Sequence, residues 1–211
     1  MPKTTRSEEE VEVVREQILD YALEILANDG YENLSMGKLG SKMNMTAANL
    51  YNYYANKDEL LIAIHKKTYE MLHEQIRKAV KSANSPLDRI TKLANAFMEF
   101  GTENINIYDI MFNRPIPQYS DYIGTPQEEL SYEEYQNSFK ALAFAVMVVR
   151  DYAETRPELQ SIDPKFLTIK IFSTLHGIIS LHNSGILNEM DDNPEQVLRD
   201  VIDDAIRSVT G

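Results

Sequence analysis

The sequence predicts an all-α protein in which an N-terminal group of three short helices precedes a larger helical domain. Apolar residues recur three or four positions apart through most of its 211 residues, as they do along one face of a helix. Several of these stretches follow a residue type that caps helices well, and none shows the strict alternation of a β-strand. The length allows one ordinary core and a small additional module.

The first helix is predicted to begin at Ser7 and to end at Gly30. Glu10 stands three positions after Ser7, which is the spacing of a capping box. Apolar side chains follow at helical spacing: Val14, Ile18, Leu19, Ala22, Leu23, Ile25 and Leu26. The helix is expected to end at Asn28-Asp29-Gly30, because glycine favours a helix C-terminus.

Two short helices separated by a tight turn are predicted next. Ser35 is expected to cap a helix over residues 36–43, and Thr46 to cap the helix that follows. Asn44 lies between them and belongs to the few non-glycine residue types that enter the left-handed backbone region readily. This pattern is typical of a helix-turn-helix, whose second helix stays exposed for a DNA major groove.

The remaining helices are predicted from apolar periodicity and from capping residues that precede prolines. Residues 113–128 are expected to form a long connection, because three prolines and Gly124 fall within them. The predicted helices cover residues 58–80, 86–101, 129–154, 164–187 and 194–209, and residues 105–112 are a short apolar segment. The first of these would link the two parts of the protein.

Composition and charge narrow the class of protein. No apolar run approaches the ~20 residues needed to cross a bilayer, the N-terminus lacks the apolar core of a secretory signal, and there is no cysteine. These features predict a cytoplasmic protein without a membrane partner. The net charge of -12 argues against nucleic acid, but residues 1–67 carry 8 basic and 11 acidic side chains, whereas residues 68–211 carry 13 and 22. A DNA-binding surface needs only a local basic rim.

Residues 12–72 resemble the DNA-binding domain of the tetracycline-repressor (TetR) family. The matching positions are Arg15, Ile18-Leu19, Ala22, Gly30-Tyr31, Leu34-Ser35-Met36, Leu39 and the run from Asn49 through Tyr53 and Lys57 to Leu61. The resemblance implies an N-terminal arm with the start of the first helix at 1–11, a DNA-binding domain at 12–72 with its helix-turn-helix at about 35–54, and a domain for effector binding and dimerisation at 73–211.

The second short helix carries residue types that suit base and phosphate contacts. The residues expected to face outward are Thr46, Ala47, Asn49, Asn52 and Tyr53. In that position asparagine can bond an adenine edge, and threonine or alanine can contact a thymine methyl group. By resemblance, Tyr53 and Lys57 would hold backbone phosphates. The full predicted set is Arg15, Ser35, Lys38, Thr46, Ala47, Asn49, Tyr51, Asn52, Tyr53 and Lys57.

Two positions depart from the family pattern. Asn44 stands where the turn usually has glycine, and the second short helix lacks the arginine or lysine often present there. We therefore expect fewer direct contacts to guanine and more weight on phosphates, A/T contacts and DNA shape.

The resemblance extends to residues 73–211 in helical content, in length and in the final helix pair. It implies a small-molecule pocket, and a homodimer joined through about 165–187 and 194–209. The predicted pocket residues are Phe97, Phe100, Asn104, Tyr108, Met111, Phe112, Phe144, Met147, Tyr152 and His176, although residues of these types are more often ordinary core than pocket lining. The predicted interface residues are Phe172, Ile179, Val197, Val201 and Ala205.

The resulting hypothesis is a repressor that a small-molecule effector releases from a palindromic double-stranded DNA operator. The alternatives are an enzyme and a helical adaptor that binds only protein. Glycine-rich phosphate loops and the common hydrolase motifs are lacking, so we predict no catalytic residue and no cofactor. His65 and His73 stand eight residues apart on a helix expected to be solvated, and we predict no metal site.

Overall fold

The computed structural model describes residues 7–210, with the side chain of Thr210 left out, and these residues form eleven α-helices and no β-strand. The helices are α1 (Glu8–Asp29), α2 (Met36–Lys42), α3 (Ala47–Leu50), α4 (Lys57–Lys81), α5 (Pro86–Glu103), α6 (Ile105–Phe112), α7 (Tyr119–Tyr122), α8 (Glu128–Ala153), α9 (Pro164–Asn183), α10 (Ile186–Met190) and α11 (Pro194–Thr210). The all-α prediction is confirmed. Most of the predicted N-terminal arm, residues 1–6, lies outside the described residues.

Side-chain caps begin the helices where the sequence predicts them. The Ser7 backbone N–H donates to Glu10 Oε2 at 2.9 Å, and the Glu10 N–H donates to Ser7 Oγ at 3.2 Å, which completes the capping box. Ser85 Oγ accepts from the Asp88 N–H in front of α5, and Asp163 Oδ1 accepts from the Lys165 N–H in front of α9. These bonds satisfy amide groups that lack partners within the helix.

Two predicted boundaries are wrong. The connection over 113–128 contains the short helix α7, whose start is closed by a bond from the Gln118 N–H to Asp121 Oδ2. The helix predicted to run to residue 187 ends at Asn183, because Gly185 takes a left-handed conformation with φ 79°. Glycine adopts this conformation without the steric penalty of a Cβ atom, and the separate helix α10 follows.

The chain divides into two compact units. Unit 1 contains the described residues up to Thr68 together with Asn106–Asn137, and unit 2 contains Tyr69–Ile105 and the described residues from Ser138 onward. In unit 1, α1 packs on α2 and α2 on α3; in unit 2, α9 packs against α5, α10 and α11. Among the described helices, none is long and apolar enough to cross a membrane.

Candidate nucleic-acid interface

The turn between α2 and α3 is fixed by a close backbone approach. A Cβ atom built on Gly40 would lie 2.8 Å from the carbonyl oxygen of Met45 and 3.2 Å from the backbone nitrogen of Ala47. The Met45 N–H donates to the Gly40 carbonyl at 2.8 Å, and Asn44 turns the chain at φ 54°. Asn44 therefore forms the turn as predicted. Gly40 was not predicted to matter, but the absence of a Cβ atom there lets α2 approach the backbone at the start of α3.

The start of α3 presents polar side chains at the surface. Thr46 Oγ1 accepts from the Asn49 N–H at 3.2 Å, and Asn52 Nδ2 donates to Asn49 Oδ1 at 3.2 Å. Thr46 and Asn52 are exposed, Asn49 is half-buried, and the Tyr51 side chain is 49% exposed. A short row of hydroxyl and amide groups therefore lies on the outer side of this motif, and Leu50 fills its inner side.

The expectation that Tyr53 faces outward is wrong, because this residue is only 6% exposed. Its backbone carbonyl accepts a bond from Arg15 Nη1 at 2.6 Å. Arg15 also contacts Glu59 Oε1 through Nη2 at 3.3 Å, and its guanidinium lies 4.4 Å from the centre of the Tyr54 ring. Arg15 thus anchors the end of the helix-turn-helix to α1, a role that position in sequence did not indicate.

Carboxylates hold two lysines of α2, of which Lys38 is a predicted DNA-contact residue. Lys38 Nζ lies 2.7 Å from Asp29 Oδ2, and Lys42 Nζ lies 2.7 Å from Glu24 Oε1. Lys57, the first residue of α4, is exposed, and its ammonium lies 5.1 Å from the centre of the Tyr31 ring. These acidic and aromatic neighbours were not predicted, since their spacing along the chain gives no sign of the contact.

Unit 1 also contains a buried histidine that faces a half-buried acid. His65, expected on a solvated helix face, is buried, and its Nδ1 lies 4.0 Å from Glu134 Oε1. Burial lowers the pKa of His65 to about 4 and raises the pKa of Glu134 to about 7. Leu61, Ile62, Ile116, Pro117, Tyr119 and Tyr122 line the same small cavity of about 10 Å³. This volume is close to that of a single water molecule.

The predicted pocket residues divide between the two units. Tyr108, Met111 and Phe112 lie in unit 1, and the other seven lie in unit 2. In unit 2 the Phe97 and Phe172 rings lie 5.3 Å apart, and His176 stacks on Phe172 at 5.7 Å. Burial lowers the pKa of His176. Phe172, a predicted interface residue, therefore contacts two residues of the predicted pocket, Phe97 and His176.

Two of the predicted interface residues do not face outward. Ile179 and Ala205 are 0% and 1% exposed within their own unit, so neither side chain has surface left for a second copy to cover. The same helix α9 exposes Phe166 and Ile169 instead, at 60% and 44%. Helical periodicity predicts an apolar stripe on α9, but it does not indicate which side of α9 packs against the other helices of unit 2.

Family models match most of the chain. The model for bacterial regulatory proteins of the tetR family matches residues 18–64, which include α2 and α3. The model for a tetracyclin repressor-like C-terminal domain matches residues 90–205. Within the part of the chain that the structure describes, no group of three or more histidine, aspartate or glutamate side chains could hold a metal ion.

Several characterised proteins are similar over part of their length. The HTH-type transcriptional activator FasR of Mycolicibacterium smegmatis is 24% identical over 113 residues, which cover 54% of this chain and 49% of that protein. The fatty acid metabolism regulator protein of Bacillus subtilis is 24% identical over 74 residues, covering 35% of this chain and 38% of that protein. The matches thus span less than half the length of these two relatives.

Solved structures share the fold over nearly the whole chain. A protein of unknown function from Rhodococcus sp. RHA1 has a TM-score of 0.75 at 21% identity, with both chains fully covered. The transcriptional regulator FadR from Bacillus subtilis, in complex with stearoyl-CoA, has a TM-score of 0.65 at 15% identity over 90% of this chain and 97% of that one. Together with the two family models, the helix-turn-helix in front of a helical C-terminal domain shows that the chain belongs to the TetR family of helix-turn-helix transcriptional regulators.

Proposed function

We propose that this regulator represses transcription by binding a palindromic DNA operator as a homodimer, and that a small-molecule effector releases it. One observation carries the DNA-binding part: exposed side chains of Thr46, Tyr51 and Asn52 lie at the two ends of the capped helix α3, next to a closely packed turn. A rigid element of this kind suits a major groove, because base contacts require side chains held at fixed positions.

The proposed contacts divide by their chemistry. Asn49 and Asn52 would bond base edges, with Thr46 and Ala47 next to thymine methyl groups. Ser35, Lys38, Tyr51 and Lys57 would hold phosphates and set the position of the motif on the duplex. For Lys38, a phosphate must replace Asp29 as the partner of the ammonium group.

The experiment that tests DNA binding is selection of bound duplexes from a random library. The matched control is the double variant Asn52→Ala/Lys57→Ala, because both residues are exposed and the exchange leaves the buried Tyr53 in place. We expect an enriched palindrome with the native protein and none with the variant. Lack of enrichment at low salt, with folding checked by circular dichroism, would contradict the proposal.

Dimerisation is proposed from the two-fold symmetry that a palindrome requires. Exposed apolar residues on α9, including Phe166 and Ile169, together with the half-buried Phe172, Val197 and Val201, are the proposed contact surface. Phe166→Glu would place a charge in this surface. We expect the variant to sediment as a monomer at concentrations where the native chain sediments as a dimer, and an unchanged mass would exclude this surface.

The effector is proposed to bind the state that does not bind DNA. A coupling of ~1–3 kcal/mol would change operator affinity about 5–150-fold. Because one similar structure holds stearoyl-CoA and one similar protein is a fatty acid metabolism regulator, long-chain acyl-CoA thioesters are the first compounds to titrate. Operator affinity that no bound compound changes would contradict effector release.

The direction of regulation needs its own measurement. One similar protein is an activator and another, KstR of Mycolicibacterium smegmatis, is a repressor. Transcription from a promoter that overlaps the selected operator should fall when the protein is added, whereas an increase would show activation. We further propose that the protein acts in the cytoplasm without catalytic activity of its own.

A further inference from the structure

Tyr31 receives two cations that come from distant parts of the sequence. Lys57 Nζ and the Arg114 guanidinium both lie 5.1 Å from the centre of the Tyr31 ring. Tyr31 stands in the short turn after α1, Lys57 begins α4, and Arg114 follows α6. All three residues belong to unit 1. A tyrosine ring attracts cations through the negative charge on its face, so the ring restricts where both cations lie.

Arg114 itself is held by two carboxylates. Its Nε lies 2.5 Å from Asp109 Oδ2, and its Nη1 lies 2.6 Å from Glu32 Oε1. These bonds raise the pKa of the Arg114 guanidinium, with Asp109 the larger contributor. The planar guanidinium can bond both acids at once, which fixes its position on Tyr31.

The charges of this group balance only while Arg114 is present. Arg114 and Lys57 carry two positive charges, and Asp109 and Glu32 carry two negative charges. Without the guanidinium, the two carboxylates that it holds would remain unneutralised near the Tyr31 ring, beside which the Lys57 ammonium also lies. Those carboxylates would compete with a DNA phosphate for Lys57, because exposed charges interact over about 10 Å at ordinary salt.

We propose that Tyr31 and Arg114 are positioning residues for the phosphate contact of Lys57. Through them the α6 end of unit 1 controls how strongly the helix-turn-helix binds DNA, although neither residue belongs to the predicted DNA-contact set. This inference rests on the proposed DNA binding and adds a route by which it is regulated. A change that displaces Arg114 weakens the Lys57 contact, and a change that holds Arg114 in place preserves it.

The test is a double-mutant cycle on the selected operator, read by fluorescence anisotropy at several salt concentrations. Arg114→Gln is expected to weaken binding about threefold to tenfold, as is typical of residues that couple through contact. In a Lys57→Ala background the same change should add less than about twofold. The slope of log affinity against log salt should become shallower in both single variants, by the amount expected for the loss of about one phosphate contact.

Matched variants separate positioning from charge and from folding. Arg77→Gln removes another ion-paired arginine, bonded to Glu74 on α4, and should leave affinity within about twofold of the native value. Tyr31→Phe keeps the ring and should bind like the native protein, whereas Tyr31→Leu should weaken binding as Arg114→Gln does. Circular dichroism checks that each variant is folded.

The outcomes distinguish the inference from the function on which it rests. Loss from Lys57→Ala together with native binding by Arg114→Gln would overturn the positioning role while leaving DNA binding intact. An equal Arg114→Gln loss in both backgrounds would overturn it as well, because the loss would then bypass Lys57. No specific binding by the native protein would instead remove the proposed function itself.

Discussion

The two units have different interiors. Four buried polar or charged side chains of the described residues lie in unit 1, namely His65, Thr68, Ser131 and Asn137, whereas unit 2 has Thr168. Thr168 satisfies its hydroxyl within its own helix, by donating to the Pro164 carbonyl at 2.8 Å. In unit 1, Asn137 Nδ2 donates across to the Lys66 carbonyl at 3.0 Å.

The two units therefore hold their helices together by different balances of apolar packing and polar bonds. Unit 2 buries chiefly apolar side chains, whose packing scales with buried area and tolerates exchange between apolar residues of similar volume. In unit 1, Thr68 and Ser131 also bond within their own helices, but Asn137 joins α8 to α4, and loss of that bond would leave a buried polar group unsatisfied. The unit that contains the helix-turn-helix therefore has more buried polar groups to satisfy.

The largest effect is expected from a cavity in unit 2. Ile179 is fully buried on α9, and Ile179→Ala should lower the free energy of unfolding by about 3–4 kcal/mol. Thr174→Ala on the exposed side of the same helix, at a residue outside the proposed dimer surface, should change it by less than about 1 kcal/mol. Urea denaturation at one fixed protein concentration measures both. Equal losses would mean that α9 is buried on both sides and would remove the packing contrast.

The next effect concerns backbone contact in unit 1. Gly40→Ala places a methyl group 2.8 Å from the Met45 carbonyl oxygen, so the turn must shift, and we expect a loss of about 2 kcal/mol. Gly37→Ala, three residues earlier on α2, meets nothing within 4 Å and should stabilise by about 0.5–1 kcal/mol. Opposite signs in urea denaturation would confirm the close approach, whereas two gains would contradict it.

The helices of both units could be predicted where the signals are local. Ser7, Ser35 and Thr46 cap helices within three residues of themselves, and Asn44 turns the chain by its own backbone preference. Which face of a helix is covered depends on residues far along the chain. Ile179 on α9 and Tyr53 after α3 were therefore placed outward, although long-range packing buries both.

The contacts around the candidate site were harder still to predict from sequence. Lys38 and Lys57 could be proposed as cations for phosphate, because their residue type and the family resemblance were sufficient. Their partners could not, since Asp29 lies 9 positions before Lys38 on a different helix and meets it only through the fold. Burial of His65 was missed because helical spacing alone did not indicate that α4 is covered on more than one side.

A pH-dependent effect should distinguish the polar interior of unit 1. Burial raises the pKa of Glu134 from 4.5 to about 7, so the folded protein binds this proton more tightly than the unfolded chain does. This tighter proton binding stabilises the folded protein fully below pH 4.5, and the stabilisation is lost as the pH rises to about 7. Glu134→Gln removes this loss, and we expect the variant to gain about 2 kcal/mol over the native protein at pH 8.

The comparison between variants at several pH values isolates Glu134. His65 has its pKa lowered to about 4 and titrates in the opposite sense, but it is present in both proteins and its contribution largely cancels in the difference. The control is Glu133→Gln, which changes the exposed carboxylate next to Glu134 in the sequence. It should change the unfolding free energy by less than about 0.5 kcal/mol. A gain from Glu134→Gln that is the same at pH 4 and pH 8 would show that desolvation of the charged carboxylate is not the cause.

The smallest effect is expected from a single cap, and it tests whether α3 is held mainly by its own bonds. The Asn49 N–H donates both to Thr46 Oγ1 at 3.2 Å and to the Thr46 backbone carbonyl at 3.0 Å, and Thr46→Ala removes the first of these bonds. We expect this loss to lower the unfolding free energy by about 1 kcal/mol, whereas Thr46→Ser keeps the hydroxyl and most of the stability. Because α3 is one turn long, the loss should concentrate there, and the Asn49 amide should exchange with solvent faster in Thr46→Ala alone. Unchanged exchange would mean that the backbone bond and Leu50 packing, rather than the side-chain cap, hold the helix that we propose enters the DNA groove.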